Sequence, residues 1–476
     1  MQLTAVIGLE IHAQLATKTK MFCACANDTF GALPNTHICP VCTGQPGALP
    51  VTNKTAVLLG VRAALALNCR IAQLTKFDRK NYFYPDLPMG FQISQFDEPL
   101  SEQGKLTIEL EGRKKEIGIT RLHLENDAGK LTHTGEFSLI DFNRAGTPLM
   151  EIVTEPDFCS ALEAKLFAEE IQRILQFVGS SRAEMSRGEM RFDASVSLRA
   201  KGSRKLNPRA EIKNLNSFRA LVLALDFEIA RQKKLWEESC PPTHDSTRGF
   251  DDTNNQTYLL REKESAADYR YFPEPDLPPL EFTETEVAKI RAELPELPAA
   301  QRARFAAKFK LKTADILELT KTLELATYFE EVVKVSGEPE KSAAWILSEL
   351  LGRFNADSAK FEATKIQAVN LGKLVKLIAT GKISGKIGKT IFAKLWEKDA
   401  DPQAVLRDSG LQQISGAAEI CKIVEQVLQE NPQVVADFKN GKQKAFGFLV
   451  GQAMKVSRGQ ANPQLVNKVL RERLEG

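Results

Sequence analysis

Three glutamates in the first third of the chain interrupt segments that otherwise have the apolar pattern of buried β-strands. Glu10 lies inside AVIGLEIHAQL, Glu125 follows the alternating segment ITRLHL, and Glu151 splits PLMEIVTEP. An ionised carboxylate in such surroundings is costly unless a cation pairs with it or its protonation state changes. Carboxylates that converge from several strands therefore predict a divalent metal ion with a phosphate group nearby.

The alternation within each segment places further ligand-type side chains on the same strand faces. In IGLEIHAQL, Glu10 and His12 share one face about 7 Å apart, so both side chains can reach one ion. The same alternation gives an outward face to polar residues of three other segments: His123 and Glu125, Asp193, and Glu211 and Lys213.

A simpler interpretation exists, because an antiparallel sheet commonly has one solvated face. These faces are, however, rich in His, Asp, Glu and Arg rather than in a mixture of Thr, Lys and Glu. Acids and histidine can hold a metal ion, and Arg and Lys can hold phosphate oxygens. This composition favours a site, although for His12 a core histidine that hydrogen-bonds to the backbone stays an alternative.

Two loops bring cations to the same region. KFDRKNYFYPDLPMGFQISQ contains Lys80 among several aromatic rings, and NRAGTPLME places Arg144 shortly before Glu151. A basic and aromatic loop can bind nucleotide phosphates and stack a base, whereas simple packing of loop aromatics is the alternative.

Four of the eight cysteines form two close pairs, C-A-C and C-P-V-C. They are Cys23, Cys25, Cys39 and Cys42. Two such pairs suit four thiolates around a tetrahedral zinc ion with no open position, which is a structural site. The first pair is C-x-C rather than the commoner C-x-x-C, and unliganded cysteines in a Gly/Pro-rich loop are the alternative.

Length and composition limit the class of protein. A chain of 476 residues with 43% hydrophobic and 26% charged residues predicts two to four domains of ordinary globular composition. No apolar run approaches the ~20 residues of a membrane span, and the segment MQLTAVIGLEIH has no secretory pattern, so we expect a cytosolic protein without membrane contact.

Common nucleotide and amidase motifs are absent from the sequence. It contains no G-x-x-x-x-G-K-[ST] and no G-x-G-x-x-G after a strand, so any use of ATP proceeds without a common phosphate loop. It also lacks the Gly/Ser-rich nucleophile segment of amidases. A reaction that needs ammonia would therefore obtain it from another chain.

The chain resembles a known family in a series of segments that follow one another in the family's order. They are IGLEIHAQL, CPVCTGQPGALP, RKNYFYPDLPMGFQISQ, LHLENDAGK, DFNRAGTPLMEI, MRFDASVSLR, EIKNLNSF, DYRYFPEPDLPP and LVGQAMKVSRGQANPQLVNKVL. The family is the B subunit of the bacterial aspartyl/glutamyl-tRNA amidotransferase, and the resemblance covers nearly the whole chain. Met89 and Asn126 depart from it, since the family more often has a lysine and a second acid there.

The resemblance implies the fold and its division. We expect an α/β (α+β) cradle-shaped catalytic domain with a largely antiparallel sheet over residues 1–293, including a zinc loop at 23–42. An all-α helical domain over 294–405 and a small all-α tail domain over 406–476 that binds tRNA follow. The change from Pro/Gly-rich strand segments to amphipathic helical patterns near residue 295 agrees with this division.

The resemblance also implies a reaction and partners. The chain would join an amidase (the A subunit) and a small C subunit in a heterotrimer, and would bind mischarged Glu-tRNA(Gln) or Asp-tRNA(Asn). It would phosphorylate the side-chain carboxylate with ATP, after which ammonia from the amidase gives Gln-tRNA or Asn-tRNA. A non-catalytic tRNA-binding scaffold, with all chemistry in a partner, is the alternative.

The residue patterns and the resemblance together predict roles for individual side chains. We expect Mg²⁺ to bind Glu10, His12 and Glu125, with Glu151 as a fourth catalytic residue that binds the ion or supports a ligand. Lys80 and Arg144 are the expected phosphate contacts. The same cavity should be lined by Asp193, Glu211 and Lys213.

Positive charge is concentrated near the end of the chain. From Lys439 to Gly476 there are eight Lys/Arg and two Glu, although the net charge of the whole chain is only +3. A solvated helical surface is the alternative, but the interleaved glycines and the resemblance favour contact with a tRNA backbone.

Overall fold

The computed structural model of the chain describes residues 2–263, 268–357, 361, 364–409, 416–439, 442–457 and 460–475. It divides into two compact units, Met1–Pro298 and Ala299–Gly476. The first is rich in mostly antiparallel strands and the second is helical, which confirms the predicted fold class.

The first unit contains all the described strands. They are β1 Leu3–Gln14, β2 Arg70–Ile71, β3 Leu74–Thr75, β4 Asp78–Asn81, β5 Phe91–Ser94, β6 Ser101–Leu110, β7 Arg113–Asn126, β8 Lys130–Thr134, β9 Phe137–Asp141, β10 Pro148–Thr154, β11 Met190–Ala200, β12 Ala210–Leu215, β13 Asp245–Asp251, β14 Gln256–Lys263, β15 Phe272–Pro273 and β16 Leu280–Glu281. Its helices are α1 Lys54–Ala66, α2 Ala161–Phe177, α3 Phe218–Glu237 and α4 Glu284–Ala292, with a 3-10 turn at Met185–Arg187.

One sheet of nine described strands organises this unit. Its order is β14-β13-β12-β11-β1-β10-β7-β6-β2, and its neighbours are antiparallel except for the parallel pair β12 and β13. Because β1 lies between β11 and β10, polar residues from three strands meet beside it. The remaining strands form the small sheets β15-β4-β5 and β16-β3 and the hairpin β8-β9.

The two faces of the sheet differ as the alternation predicts. Ile7, Leu9 and Ile11 of β1 are fully buried on one face, against which α2 packs, while α3 packs against β11. Glu10 and His12 lie on the other face and are partly accessible. Burial of the apolar face fixes the register, because a slip by one residue would turn every side chain to the opposite face.

The sequence pattern indicates strands and loops in this unit, and it does not predict the three long helices α1, α2 and α3. Helix α1 begins after Asn53, whose side-chain oxygen accepts hydrogen bonds from the backbone N–H groups of Thr55 and Ala56. Ser160 and Ser217 cap α2 and α3 in the same way.

The second unit consists of helices in its described part. They are α5 Pro298–Phe309, α6 Thr313–Leu319, α7 Leu323–Ser336, α8 Pro339–Ala344, a π-helical segment Trp345–Leu350, α9 Leu351–Asp357, α10 Ala368–Ala379, α11 Gly385–Glu397, α12 Pro402–Asp408, α13 Ala417–Glu430, α14 Pro432–Lys439, α15 Lys444–Val456 and α16 Pro463–Glu475. The amphipathic segment 314–333 forms two helices rather than one, because the Thr322 side chain caps α7.

Two separate hydrophobic clusters stabilise this unit. One contains Phe329 and Leu374 among residues of α5–α12, and the other contains Val424 and Leu449 among residues of α13–α16. The predicted domain boundaries stay predictions. No helix in the described ranges has both the length and the apolar composition that crossing a membrane requires.

Candidate active site

Two histidines and two glutamates meet on the polar face of three adjacent strands. In the register, His12 of β1 lies opposite Glu151 of β10, which lies opposite His123 of β7. The Nε2 atoms of His12 and His123 are 3.3 and 3.4 Å from Glu151 Oε2, and 3.8 and 3.7 Å from the oxygens of Glu125. We call these four residues the histidine cluster.

The histidine cluster is buried, and its neighbouring groups shift the pKa values of one another towards the charged forms. Burial alone would lower the pKa of His123, but Glu151 and Glu125 outweigh this effect and raise it to about 9. The pKa of His12 is raised in the same manner, against its burial, chiefly by Glu151. Although burial disfavours the Glu151 carboxylate, both imidazoles together lower the pKa of Glu151 well below its usual value.

The environment of His12 differs from that of a structural core histidine. Its Nε2 faces Glu151 and Glu125 rather than the backbone, and its Nδ1 is buried without a hydrogen-bond partner among the described residues. A buried polar atom left unpaired is costly, so it marks a place where a ligand or water completes the site.

A second cluster lies beside the first and consists of Glu10, Asp193, Glu211 and Lys213. Lys213 Nζ is 2.7 Å from Asp193 Oδ2 and 3.7 Å from Glu10 Oε2, and it also contacts Glu211. Burial would lower the pKa of Lys213, but the three carboxylates raise it. Burial and neighbouring carboxylates, first of all Glu151, raise the pKa of Glu10. We call this group the carboxylate cluster.

A β-bulge brings the members of the carboxylate cluster together. The pairing of β11 with β12 shifts between Phe192 and Ala194, which places Asn214 as an extra residue opposite Asp193. Asn214 has a left-handed backbone conformation, with φ of 58°, and its N–H donates to Asp193 Oδ1 at 2.9 Å. The bulge therefore fixes the Asp193 carboxylate beside Lys213.

The structure divides the predicted Mg²⁺ ligands between these clusters. Ligand atoms of His12, Glu125 and Glu151 lie within 4.8 Å of one another, and Glu10 forms such a group with Asp193 and Glu211 instead. The reason is the register of β1, because His12 is opposite Glu151 whereas Glu10 is opposite Asp193. Glu10 therefore lies in a different group from His12 and Glu125, and the predicted Mg²⁺ set of these three residues stays a prediction.

Lys80 reaches the histidine cluster from the small sheet, on β4. Burial would lower its pKa, but Glu125, with Tyr271 and Glu151, raises it. Its Nζ lies 5.0 Å from the ring centre of Tyr269 and 6.0 Å from that of Tyr82. An aromatic wall continues from these rings. It consists of Tyr82, Tyr84, Tyr269, Tyr271 and Phe96.

Arg144, the other predicted phosphate contact, lies against the loop after β7. It donates to the carbonyl oxygens of Ala128 and Gly129 at 3.1 and 2.6 Å, and its Nε is 3.5 Å from Asp127 Oδ2. Arg191 contacts the same carboxylate at 3.4 Å and is opposite His12 in the register. In this arrangement Arg191, rather than Arg144, is the arginine beside the histidine cluster.

Sequence reasoning left His123 and Arg191 without a role. Both lie two residues from assigned positions, Glu125 and Asp193, on the same strand faces, so the alternation itself was the signal that could have found them.

The four paired cysteines form a compact cluster in the loop after β1. Their sulfur atoms lie within 4.8 Å of one another. A hydrogen bond from Cys23, assisted by the Lys20 ammonium, lowers the pKa of Cys42 to about 5 in spite of burial. Four cysteine sulfurs in this arrangement fit a tetrahedral structural zinc ion.

Lys20 provides an independent indication of negative charge in that loop. Its side chain is 0% exposed, and its Nζ contacts Cys42 Sγ at 3.5 Å and the carbonyl oxygens of His37 and Phe142 at 2.7 and 3.5 Å. None of its contacts in the described part of the chain is with a carboxylate. A buried ammonium requires an anion, and thiolates bound to a metal ion would supply one.

The cysteine loop is joined to the segment that carries Arg144. Asn143 donates to Leu33 O at 2.7 Å and accepts from the His37 N–H at 2.8 Å, and Asn35 donates to Ile140 O at 3.0 Å. A metal ion in the loop would therefore also order the edge of the candidate active site.

Comparisons with known proteins identify the family of the chain. The GatB/GatE catalytic domain family matches residues 5–288, and the GatB domain family matches residues 327–474. The B subunit of the aspartyl/glutamyl-tRNA(Asn/Gln) amidotransferase of Carboxydothermus hydrogenoformans is 48% identical over 475 residues, which cover 99% of this chain and 98% of the relative.

The proteins of the same name in two other bacteria are similarly close. That of Brevibacillus brevis is 47% identical, with 98% of each chain covered, and that of Persephonella marina is 46% identical over the full length of both. The resemblance found in the sequence is thereby confirmed. The chain belongs to the family of B subunits of the aspartyl/glutamyl-tRNA(Asn/Gln) amidotransferase.

Proposed function

We propose that this chain activates the side-chain carboxylate of Glu-tRNA(Gln) or Asp-tRNA(Asn) with ATP, and that the activated group is then amidated to give Gln-tRNA or Asn-tRNA. The observation that carries the proposal is the pair of clusters with the side chains to hold a cation, which lie next to each other on one sheet face and share strand β1. The names of the relatives support an amidotransferase that acts on these tRNAs.

The reaction explains why such a site is needed. A carboxylate is a poor electrophile, because its charge is delocalised and hydroxide is a bad leaving group. In the proposed sequence a carboxylate oxygen attacks the γ-phosphorus of ATP, the bond to the β,γ-bridging oxygen breaks, and ADP leaves. Ammonia then attacks the carbonyl carbon of the acyl phosphate, and inorganic phosphate departs. The first step depends on positioning and on neutralising negative charge.

The donor atoms of the two clusters suit divalent cations. Glu10, Asp193 and Glu211 offer oxygen alone, which Mg²⁺ prefers, while the histidine cluster adds imidazole nitrogen to two carboxylates. Bound Mg²⁺ would supply positive charge to the β- and γ-phosphate oxygens. Without a bound cation, the Lys213 ammonium offsets part of the negative charge of the carboxylate cluster.

The cations of the chain itself have distinct positions in this proposal. Lys80 lies beside Glu125 and under the aromatic wall, where it can contact a phosphate or the substrate carboxylate. If a cation displaces Lys213 from its three carboxylates, the Lys213 ammonium can contact the phosphates instead. Arg191 is held by Asp127 and stays next to His12.

We place the aminoacyl end of the tRNA against the aromatic wall. Aromatic rings stack on bases irrespective of sequence, and Phe96 and Tyr271 already stack on each other at 4.2 Å. This position brings the amino acid towards Lys80 and the histidine cluster. Helices α13–α16 of the tail would contact the tRNA backbone through their Lys and Arg residues.

The ammonia and the remaining subunits come from other chains in this proposal. The sequence lacks an amidase nucleophile segment, and the relatives are named as one subunit of a larger enzyme. We infer an amidase, the A subunit, that releases ammonia from glutamine, and a small C subunit that completes a heterotrimer.

A trapping experiment with Glu125→Ala tests the proposal. The complex is reconstituted with ATP, Mg²⁺ and each mischarged tRNA, without glutamine but with hydroxylamine, which converts an acyl phosphate into a hydroxamate. We expect the variant to lower hydroxamate formation by roughly 100-fold or more, the scale of losing a preorganised electrostatic group. Binding of tRNA and assembly with the amidase should be retained.

The matched control is Glu116→Ala on the same strand. Glu116 is exposed and pairs with Lys105 at 3.1 Å, away from both clusters, so its loss should leave hydroxamate formation unchanged. Full trapping by Glu125→Ala would favour the alternative, a tRNA-binding scaffold whose chemistry belongs to a partner.

A further inference from the structure

The end of β7 that carries Glu125 extends beyond its neighbour β6. Strand β6 begins at Ser101, opposite Leu122, whereas β10 pairs with β7 as far as Asn126 on the other edge. The backbone N–H and C=O groups on the edge that β6 leaves need other partners. Residues 92–95, at the end of β5, contact this edge, and we call them the glutamine segment.

The glutamine segment supplies partners for the backbone on both sides of Glu125. The Oε1 atom of Gln95 accepts a hydrogen bond from the Leu124 N–H at 2.9 Å. The Nε2 atom of Gln92 donates to the Asn126 carbonyl oxygen at 2.9 Å. The side-chain oxygen of Asn126 accepts a further bond from a backbone N–H of the segment at 2.8 Å. These contacts take the place of a neighbouring strand, so the backbone at Glu125 is held on both edges.

Ser94, also in the glutamine segment, contacts the Glu125 carboxylate itself. Its hydroxyl donates to Glu125 Oε2 at 3.1 Å, and both side chains are buried. The same Oε2 is 3.7 Å from His123, whereas Oε1 is 3.8 Å from His12. The hydroxyl thus fixes which oxygen faces each histidine. It leaves Oε1, beside His12, for a cation or a substrate group.

One small sheet positions Lys80 and Glu125 relative to each other. In the pairing of β4 with β5, Lys80 lies opposite Gln92. The Tyr82 hydroxyl, in the aromatic wall, donates to Gln92 Oε1 at 3.1 Å. The strand pair that brings Lys80 to the histidine cluster therefore also holds the carboxylate that Lys80 approaches.

We propose that Ser94 is a positioning residue for carboxylate activation, which holds Glu125 Oε2 so that Oε1 faces the cation or substrate group at the histidine cluster. The inference rests on the proposed function and extends it to a residue that acts through Glu125. A hydroxyl orients the carboxylate without neutralising it, so the full negative charge stays available to a cation. Removal of the hydroxyl should therefore affect metal binding and catalysis more than folding.

The substitution Ser94→Ala removes the hydroxyl and leaves the rest of the glutamine segment in place. The matched control is Ser101→Ala on β6. Ser101 is as deeply buried as Ser94 and also contacts β7, but its hydroxyl donates to the Leu122 carbonyl oxygen at 3.4 Å and not to a carboxylate. Thermal unfolding of the full chain should show similar, small losses of stability for the two variants.

Two measurements separate positioning from stability. With hydroxylamine and the reconstituted complex, Ser94→Ala should lower kcat for hydroxamate formation by about tenfold or more, while KM for the mischarged tRNA stays within about twofold. In a Mn²⁺ titration of the full chain, the site that Glu125→Ala removes should bind about tenfold more weakly in Ser94→Ala. Ser101→Ala should match the unmodified chain in both measurements.

Other results overturn this inference, the proposed function or both. If Glu125→Ala lowers hydroxamate formation but Ser94→Ala behaves as Ser101→Ala does, the positioning role is wrong and the proposed function stands. Equal losses in the two serine variants would show a purely structural effect, which also contradicts the role of Ser94. If the unmodified complex forms no hydroxamate while Ser94→Ala still weakens the Mn²⁺ site, the proposed function fails and only the positioning of Glu125 remains. If neither hydroxamate nor a Mn²⁺ site that depends on Glu125 is found, both fail.

Discussion

Lys20 is a buried side chain that a metal ion in the cysteine loop would stabilise. Its ammonium, which is removed from water, touches one cysteine sulfur and two backbone carbonyls. Four thiolates around Zn²⁺ carry a net charge of −2, so a neighbouring ammonium lowers the cost of burying them. The lysine and the metal would therefore stabilise each other.

We expect Lys20→Met to weaken zinc binding by about 10- to 100-fold, the usual effect of removing a group that supports metal ligands. The substitution keeps an unbranched apolar stem but removes the positive charge. Competition with a chromogenic chelator measures the zinc affinity directly. The control is Lys18→Met, since Lys18 is exposed in the same segment. Equal affinities for the two variants would show that the thiolates do not need the ammonium.

Asn214 controls the carboxylate cluster through its backbone conformation. A φ of 58° is tolerated by Asn and Gly but is strongly disfavoured for a β-branched residue. The side chain is exposed, whereas the N–H holds Asp193. The position of Asp193 therefore depends on the backbone conformation of the bulge and not on the Asn214 side chain.

Two substitutions that both remove the Asn214 carboxamide separate these contributions. Asn214→Val should lower the free energy of unfolding by about 1–2 kcal/mol, because it forces either strain or a shift of the bulge. It should also weaken divalent-cation binding, since Asp193 would lose its position. Asn214→Gly should have nearly the same free energy of unfolding and the same affinity for divalent cations as the unmodified chain. Chemical denaturation and Mn²⁺ titration provide the measurements, and equal behaviour of the two variants would contradict the role of the bulge.

The alternation of residues in strands allowed much of the site to be predicted from the sequence. It identified the outward faces that hold Glu10, His12, Glu125 and Asp193, because buried apolar neighbours fix which side chains point outward. The same pattern does not specify which strands are neighbours. The sequence therefore could not show that Glu151 rather than Glu10 meets His12.

Contacts between distant segments were also beyond the sequence pattern. The bulge at Asp193 adds one residue to β12, and periodicity does not reveal such an insertion. Tyr269 lies near Lys80 because β15 joins the small sheet of β4, a pairing across almost 200 residues. Arg144 donates to the carbonyl oxygens of Ala128 and Gly129, contacts that the sequence pattern does not reveal, and its predicted role at a phosphate stays a prediction.

At the scale of the whole molecule, the tail has its own hydrophobic cluster and its own charge. Its core residues, such as Val424 and Leu449, belong to a cluster separate from that of helices α5–α12. Some of its cations are paired within the tail, as Arg473 is with Glu425 at 2.7 Å. The sequence from Lys439 onward has eight Lys/Arg and two Glu, a surplus of positive charge that predicts a basic surface.

Deletion of residues 410–476 should weaken tRNA binding and flatten its dependence on salt. Each phosphate contact that is lost should reduce the slope of log K against log salt by about 0.7–0.9, because fewer counterions are released on binding. Filter binding from low to moderate ionic strength measures both effects. Trapping of an acyl phosphate at saturating tRNA tests whether the first unit still activates the substrate carboxylate.

The double substitution Lys444→Gln and Lys455→Gln, on α15 of the intact chain, should reduce the slope of log K against log salt without removing the core of the tail. A binding isotherm that is identical at every salt concentration with and without the tail would place the tRNA contacts elsewhere. If deletion instead abolished trapping at saturating tRNA, the tail would be required for the chemistry as well as for affinity.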